Sequence, residues 1–254
     1  MEITPEQLAH IEHCLPVQRG NVSLSNLQVI NAILYVAEHG CKWRGLPKRF
    51  GNWHTIYTRM NRWAKAGVLD RMFEELQKAQ VVRIKIEAVS LDSTSIKVHP
   101  DGTGAPKKNG PQAIGKSRGG WTTKIHMVAA DARTAITFSL SPGQAGDAPQ
   151  GRELLASLGP PNRPLHLLMD KAYEGNETRQ LALDLGYIPV VPPLRARVEP
   201  WEYDREMYKR RNEVERLFRR LKGYRRIFSR FEKLDLMFLG FISFVLVADG
   251  LRMC

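Results

Sequence analysis

Apolar and polar positions follow two rhythms along this chain, and the rhythm changes near residue 82. Before that point the spacing is helical. Ser23 or Ser25 can cap a helix from Leu27 to about His39 whose face carries Ile30, Ile33, Leu34 and Ala37, with Gly40 ending it. A turn at Pro47 and Gly51 leads to a second helix from about Trp53 to Ala66, and Gly67 separates it from a third, about Val68 to Gln80. After Val81 the period shortens to two. Arg83 to His99 alternates as a strand with Val89 and Leu91 inward. A Gly-, Pro- and Lys-rich loop from Asp101 to Gly120 follows, then strands at Thr122–Ala130 and Ala135–Leu140. A helix opens at Asp147, a short apolar strand runs Leu165–Met169, and a further helix and strand cover Glu177–Leu185 and Tyr187–Val191. A helix from Tyr208 to Lys222 and an apolar C-terminal helix complete the pattern. A meander followed by alternating helix and strand predicts an α+β or α/β fold: a mixed five-stranded sheet flanked by helices, behind a small all-helical N-terminal domain. The expected boundary divides residues 1–82 from 83–254.

Composition narrows the partner. With 43% apolar residues, 254 positions can bury one substantial core and a smaller module. The 38 Lys and Arg exceed the 26 Asp and Glu to give a net charge of +12, which favours a polyanion, nucleic acid first. Cys14, Cys41 and Cys254 are odd in number and far apart, which suggests reduced thiols rather than disulfides or zinc. The N-terminus shows no signal pattern, and the run Leu236–Val247 is too short to span a bilayer. A cytoplasmic protein without a membrane partner is expected.

The acids are more informative. Asp92 interrupts a strand otherwise built for burial, where an unpaired carboxylate costs several kcal/mol. Asp170 stands just past an apolar strand. On the helix from Tyr208, at about 100° per residue, Tyr208, Arg211, Glu215 and Lys222 share an arc roughly 60° wide beside the apolar stripe of Val214, Leu217, Phe218 and Leu221. Glu213 falls on the opposite side. Three convergent carboxylates, Asp92, Asp170 and Glu215, make an oxygen site for Mg²⁺ or Mn²⁺, and two such ions suit in-line phosphodiester displacement. Lys97, Lys107, Lys108, Lys116, Arg118, Lys124, Lys171, Arg211 and Lys222 would hold the nucleic-acid strand. Each acid has a plainer reading too: Asp92 and Asp170 could cap turns, and Glu215 could pair with Arg219. Asp147 reads as a helix start, and His99 and His126 as core or surface histidines. In the N-terminal segment, Arg59, Arg62 and Lys65 on the second helix fit a helix-turn-helix-like duplex reader, or else a solvated face of a packing domain.

The spacing Tyr208-(2)-Arg211-(3)-Glu215-(6)-Lys222 resembles the signature of bacterial DDE transposases of the insertion-sequence five group, within the wider four-and-five branch. The stretches WRGLPKRFGNWHTIYTRMNRW, LDSTSIKVH, GGWTTKIHMVAADA, GQAGDAPQ, MDKAY and LKGYRRIFSRFEKLD extend that resemblance from about residue 19 to the C-terminus. It implies an RNase H-like catalytic domain with Asp92, Asp170 and Glu215 as catalytic metal ligands for two Mg²⁺ or Mn²⁺ ions. It further implies that Tyr208, Arg211 and Lys222 assist at phosphate and that the N-terminal domain binds terminal inverted repeats. Cleavage at the element ends and joining of 3′-hydroxyls to target DNA would follow, by a homodimer or larger assembly at the bacterial nucleoid. The short interval between Asp170 and Glu215 leaves no room for the β insertion some relatives carry. A nuclease without strand transfer and a non-catalytic DNA-binding repressor are the competing classes.

Overall fold

In the computed structural model, which describes residues 2–20, 22–83, 86–105 and 109–252, the first three helices each begin at a side-chain cap. Thr4 caps α1 (Pro5–Ala9), Ser25 caps α2 (Asn26–His39) in a reciprocal pair with Gln28, and Asn52 caps α3 (Trp53–Lys65). Gly40 ends α2 in the left-handed region at φ 67°, where a residue with a Cβ would be strained. α4 (Val68–Arg83) follows directly.

The chain divides into two compact units. One comprises Met1–Val82, Val98–Gln112 and Arg220–Cys254, the other Arg83–Lys97 and Ala113–Arg219. Residue 82 is thus one division between units, while the C-terminal helices group with the N-terminal ones. In the helical unit, α10 (Asp235–Leu251) is apolar all round and buries Phe238, Phe241, Ile242 and Val245 completely. Its packing on α2 and α3 explains the apolar run, and Gly240 lets it approach Ala64 and Leu69 closely. Ser243 donates to Asp70 of α4 at 3.0 Å. Among the described residues no helix is long and apolar enough to cross a membrane. Between α9 (Arg225–Phe228) and α10 lies β7 (Ser229–Arg230), whose Arg230 carbonyl accepts the His99 amide.

The other unit is built on a sheet. β1 (Ala88–Val98) is central: it pairs antiparallel with β3 (Gly120–Ala129) and parallel with β5 (Leu165–Met169), which pairs parallel with β6 (Tyr187–Val190). β4 (Ala135–Pro142) and the short β2 (Gly115–Ser117) both pair with β3. The five expected strands are present, and β2, too short for alternation to show, joins them beside β3. The strand order β4-β3-β1-β5-β6 is the mixed sheet of an RNase H-like fold. α5 (Asp147–Leu158) and α6 (Asn176–Asp184) flank it, and Val89, Leu91, Val128, Leu155, Leu167 and Met169 make the core beneath them.

One expected element breaks. The helix predicted from Tyr208 to Lys222 is two: α7 (Arg205–Lys209) and α8 (Asn212–Leu221). Between them Arg210, Arg211 and Glu213 donate to carbonyls three residues back, a tighter winding than the α-helix. The single helical wheel drawn across residues 208–222 therefore does not hold.

Candidate active site

Register brings two aspartates to the same end of the sheet. β1 and β5 run parallel with Leu91 beside Met169, so the residues that follow, Asp92 in β1 and Asp170 just past β5, come to the same end of the pairing. Alternation sets their face. Leu91 and Met169 point into the main core, whereas Ala88 and Leu168 form a smaller cluster on the other face, covered by Tyr203, Met207 and Tyr208. Asp92 and Asp170 continue that second set, toward the segment that carries Arg211 and Glu215.

Arg211 sits in the turn between α7 and α8. It donates to Asp92 Oδ2 at 3.1 Å and to Glu215 Oε1 at 2.6 Å, and its guanidinium lies 5.8 Å from the Tyr208 ring. Asp92 Oδ1 accepts the Ser93 amide at 2.7 Å and Asp170 Oδ1 the Lys171 amide at 2.6 Å. Asp170 therefore caps the turn Lys171–Tyr173, whereas Asp92 stays within β1 and accepts the amide of the next residue. Glu215 pairs with Arg211 rather than Arg219, while Glu213 pairs with Arg210.

Burial pushes the Asp92 carboxyl up to about 6, and the charges of Asp170 and Glu215 push the same way against the Ser93 amide and Arg211. Burial works against the Arg211 charge, yet Asp92, Tyr208, Asp170 and Glu215 together hold its pKa above the ordinary value. Burial also raises the Tyr208 phenol. An acid this strained, beside two others, is the kind of group that chemistry exploits.

Among the described residues, no three acidic, histidine or cysteine side chains close on one point as ligands. The Arg211 guanidinium lies between two of the carboxylates and supplies the positive charge. The donor set nonetheless fits a hard divalent cation: three carboxylates, one at an elevated pKa that a nearby cation would relieve.

On the opposite face lies a residue the sequence reading assigned to a helix start. Asp147, first residue of α5, accepts the Ser93 hydroxyl at 2.8 Å and Lys124 Nζ at 2.9 Å. Ser93 thus links Asp147 to Asp92 through its hydroxyl and amide. The signal was available: Ser93 alternates with Asp92, and Lys124 stands opposite Ser95 across β3, on the Ser93 face. Burial lowers the neighbouring His126 to about 4, and its Nε2 lies 2.7 Å from the Ser141 hydroxyl, so it is a neutral core histidine.

The expected phosphate-holding cations are divided. Lys124 is largely buried and committed to Asp147 and the Ala145 carbonyl, which leaves no free ammonium for phosphate. Arg118 in the β2–β3 turn, Lys171 beside Asp170, Lys97 in β1 and Lys116 in β2 are exposed, as are Arg62 and Lys65 on α3. Arg59 instead bonds the Leu24 carbonyl and Asn26 and lies over Trp63, a structural use of its charge. Lys222 belongs to the helical unit, half-buried, with its pKa lowered by burial. Lys107, Lys108 and Cys254 lie outside the described residues; Cys14 and Cys41 are free thiols.

Comparison with known proteins gives this rim its context. A family model described as "Putative transposase of IS4/5 family" matches residues 3–73, and one described as "Transposase DDE domain" matches residues 83–247. The chain is similar to a "Putative transposase for insertion sequence element IS6501" of Brucella ovis, 32% identical over 132 residues, which cover 52% of this chain and 99% of that protein. It is also similar to "Uncharacterized protein y4sN" of Sinorhizobium fredii, 33% identical over 86 residues, covering 34% of this chain and 66% of that one. Among solved structures, the piggyBac transposase synaptic complex with hairpin DNA shows a distant likeness, 10% identical, with 98% of this chain and 70% of that chain covered at a TM-score of 0.48. With the DDE model matched along residues 83–247, this chain belongs to the DDE transposases, in the IS4/5 group of insertion-sequence proteins.

Proposed function

We propose that this transposase cuts a phosphodiester at each end of its insertion sequence and joins the exposed 3′-hydroxyl to target DNA, with Asp92, Asp170 and Glu215 as the catalytic carboxylates. The observation that carries the reading is the meeting of Asp92, its pKa raised by burial, with Asp170 across the β1–β5 register and with Glu215 through Arg211. Held by these three side chains, Mg²⁺ or Mn²⁺, two ions in this reading, would supply Lewis acidity at the scissile phosphate and a more acidic attacking water. Arg211 orients Asp92 and Glu215 through its two donor edges, and that fork also matches a phosphate. The Ser93 amide holds one oxygen of Asp92, and Asp147 holds the Ser93 hydroxyl on the far side of the strand. Tyr208 lines the covered face and limits water at Asp170. Water and then a DNA hydroxyl are the nucleophiles, with no covalent protein intermediate.

Residues 1–82 act as the domain that binds the terminal inverted repeats, with Arg62 and Lys65 on the exposed side of α3 toward phosphate, and 83–254 as the catalytic domain. Arg118, Lys171 and Lys222 contribute further positive charge toward DNA. Two ends must be handled together, so the acting species is at least a dimer, at the nucleoid of a bacterial cytoplasm. The test is strand transfer with pre-cut element-end duplexes and a supercoiled target in Mg²⁺. Joined products that vanish with Glu215→Gln are expected. Cleavage without joining would assign a plain nuclease, and end binding without either reaction would assign a repressor.

A further inference from the structure

Two of the stretches that carry the family resemblance, around residues 41–63 and 221–235, contribute nothing to the sheet rim. They meet in the helical unit around a cavity of about 390 Å³. Trp43 and Tyr57 form one wall with ring centroids 5.5 Å apart, edge to face, and Phe231 stands on another. The Arg226 guanidinium lies 4.8 Å from the Phe231 ring and pairs with Glu232 at 3.3 Å. Both charged side chains are over nine-tenths buried, yet Glu232 Oε2 and Arg226 Nε have no hydrogen-bond partner. Buried polar atoms without partners are rare, and each calls for an explanation. Burial pushes the Glu232 carboxyl up against the pull of Arg226, so a donor arriving at Oε2 would relieve it. At the mouth, Lys42 and Lys233 are exposed and cationic.

Aromatic walls accept a flat ring, an unpartnered acceptor and an unpartnered donor on two paired lining residues suit a polar ring edge, and lysines at the mouth suit a phosphate. We propose that this cavity receives one unstacked nucleobase of bound DNA and prefers bases that carry an exocyclic amine. Cytosine presents its amine to Glu232 Oε2 and its adjacent ring nitrogen or carbonyl to Arg226 Nε; thymine has no amine to offer. The volume lies at the small end of ligand sites and suits a single base with its sugar. This inference rests on DNA being the partner, as proposed above.

The test uses the full chain and four duplexes of one sequence: fully paired, or with a single bulged cytosine, bulged thymine or bulged abasic site. The abasic bulge supplies the bend without the base. Binding is read by fluorescence anisotropy at fixed salt. The bulged-cytosine duplex is expected to bind roughly tenfold more tightly than the abasic one, as base–aromatic stacking implies, with thymine in between. Tyr57→Ala should bring the cytosine-to-abasic ratio close to one, and Glu232→Gln should remove the cytosine-to-thymine preference while keeping the stacking gain. Equal affinity for cytosine and abasic bulges, or a ratio unchanged in both Tyr57→Ala and Trp43→Ala, overturns the base pocket and leaves the DNA reading standing. Failure to bind any of the four duplexes overturns both.

Discussion

The two compact units treat their charges differently. In the helical unit Arg59 is held by neutral groups, and four other buried or half-buried arginines each face a different acid: Arg220 with Asp249 at 2.7 Å, Arg252 with Glu38 at 2.7 Å, Arg230 with Asp235 at 2.7 Å, and Arg226 with Glu232 at 3.3 Å. At the sheet rim a single arginine, Arg211, bridges two acids while a third stands on the next strand, and Asp92 is left at about 6. One-to-one pairs hold a structure together. A surplus of carboxylate on one rim is a standing electrostatic cost that only a further cation removes, which is why the rim reads as a reaction site. Glu232 is the exception among the pairs because one of its oxygens is unused, and there the cavity lies.

The sharpest way to break this contrast is to remove one acid from each unit. Asp170→Ala or Glu215→Ala should lower element-end cleavage in Mg²⁺ on the order of a thousandfold or more, with end binding kept in a gel-shift assay. Stability should not fall with it. Asp92 has a folded pKa of about 6, above the unfolded 3.8, so its stabilising contribution is complete below 3.8 and is lost as pH rises through 6. Above pH 6, Asp92→Asn should therefore stabilise the metal-free protein by up to about 3 kcal/mol, read as a rise in thermal midpoint.

In the helical unit the effect should reverse. Asp249→Ala strands Arg220 and the Tyr224 hydroxyl, which donate to it at 2.7 and 3.3 Å, and should lower stability by about 1–3 kcal/mol in urea unfolding.

A comparable effect belongs to the far side of the sheet. His126 has a folded pKa of about 4, below the ordinary 6.5, so its contribution is present above 6.5 and lost as pH falls toward 4. The wild-type chain should lose about 3 kcal/mol across that interval relative to His126→Gln, seen as a steeper acid limb of the thermal midpoint.

The smallest expected effect distinguishes two arginines of α3. Arg62→Ala should weaken duplex binding and lower the salt slope by about one. Arg59→Ala should instead reduce stability, because its guanidinium closes onto Leu24, Asn26 and Trp63.

Much of this was legible in the chain. Strand alternation put Asp92 inside β1, and the apolar run ending at Met169 put Asp170 at a strand end, since period and burial are local properties. The Ser25 cap and Gly40 stop were equally local. The break at Arg210–Arg211 was not, because Asn212 is the one weak signal for a new helix start in YKRRNEVERL and the strong helix formers around it mask it. Lys124 looked like a phosphate contact because cations on exposed strands usually are. Only the position of Asp147 shows it buried, and that position depends on where α5 lands. Glu232 was passed over for the same reason: a carboxylate in a basic stretch reads as a surface pair until its surroundings close over it.

The most direct measurement is Mn²⁺ titration of the full chain, followed by electron paramagnetic resonance of the free ion, for wild type and for Asp92→Asn, Asp170→Asn and Glu215→Gln. If the rim carboxylates share divalent ions, the wild type binds and each substitution weakens binding about tenfold or more. Wild-type affinity in all three variants would contradict the shared site.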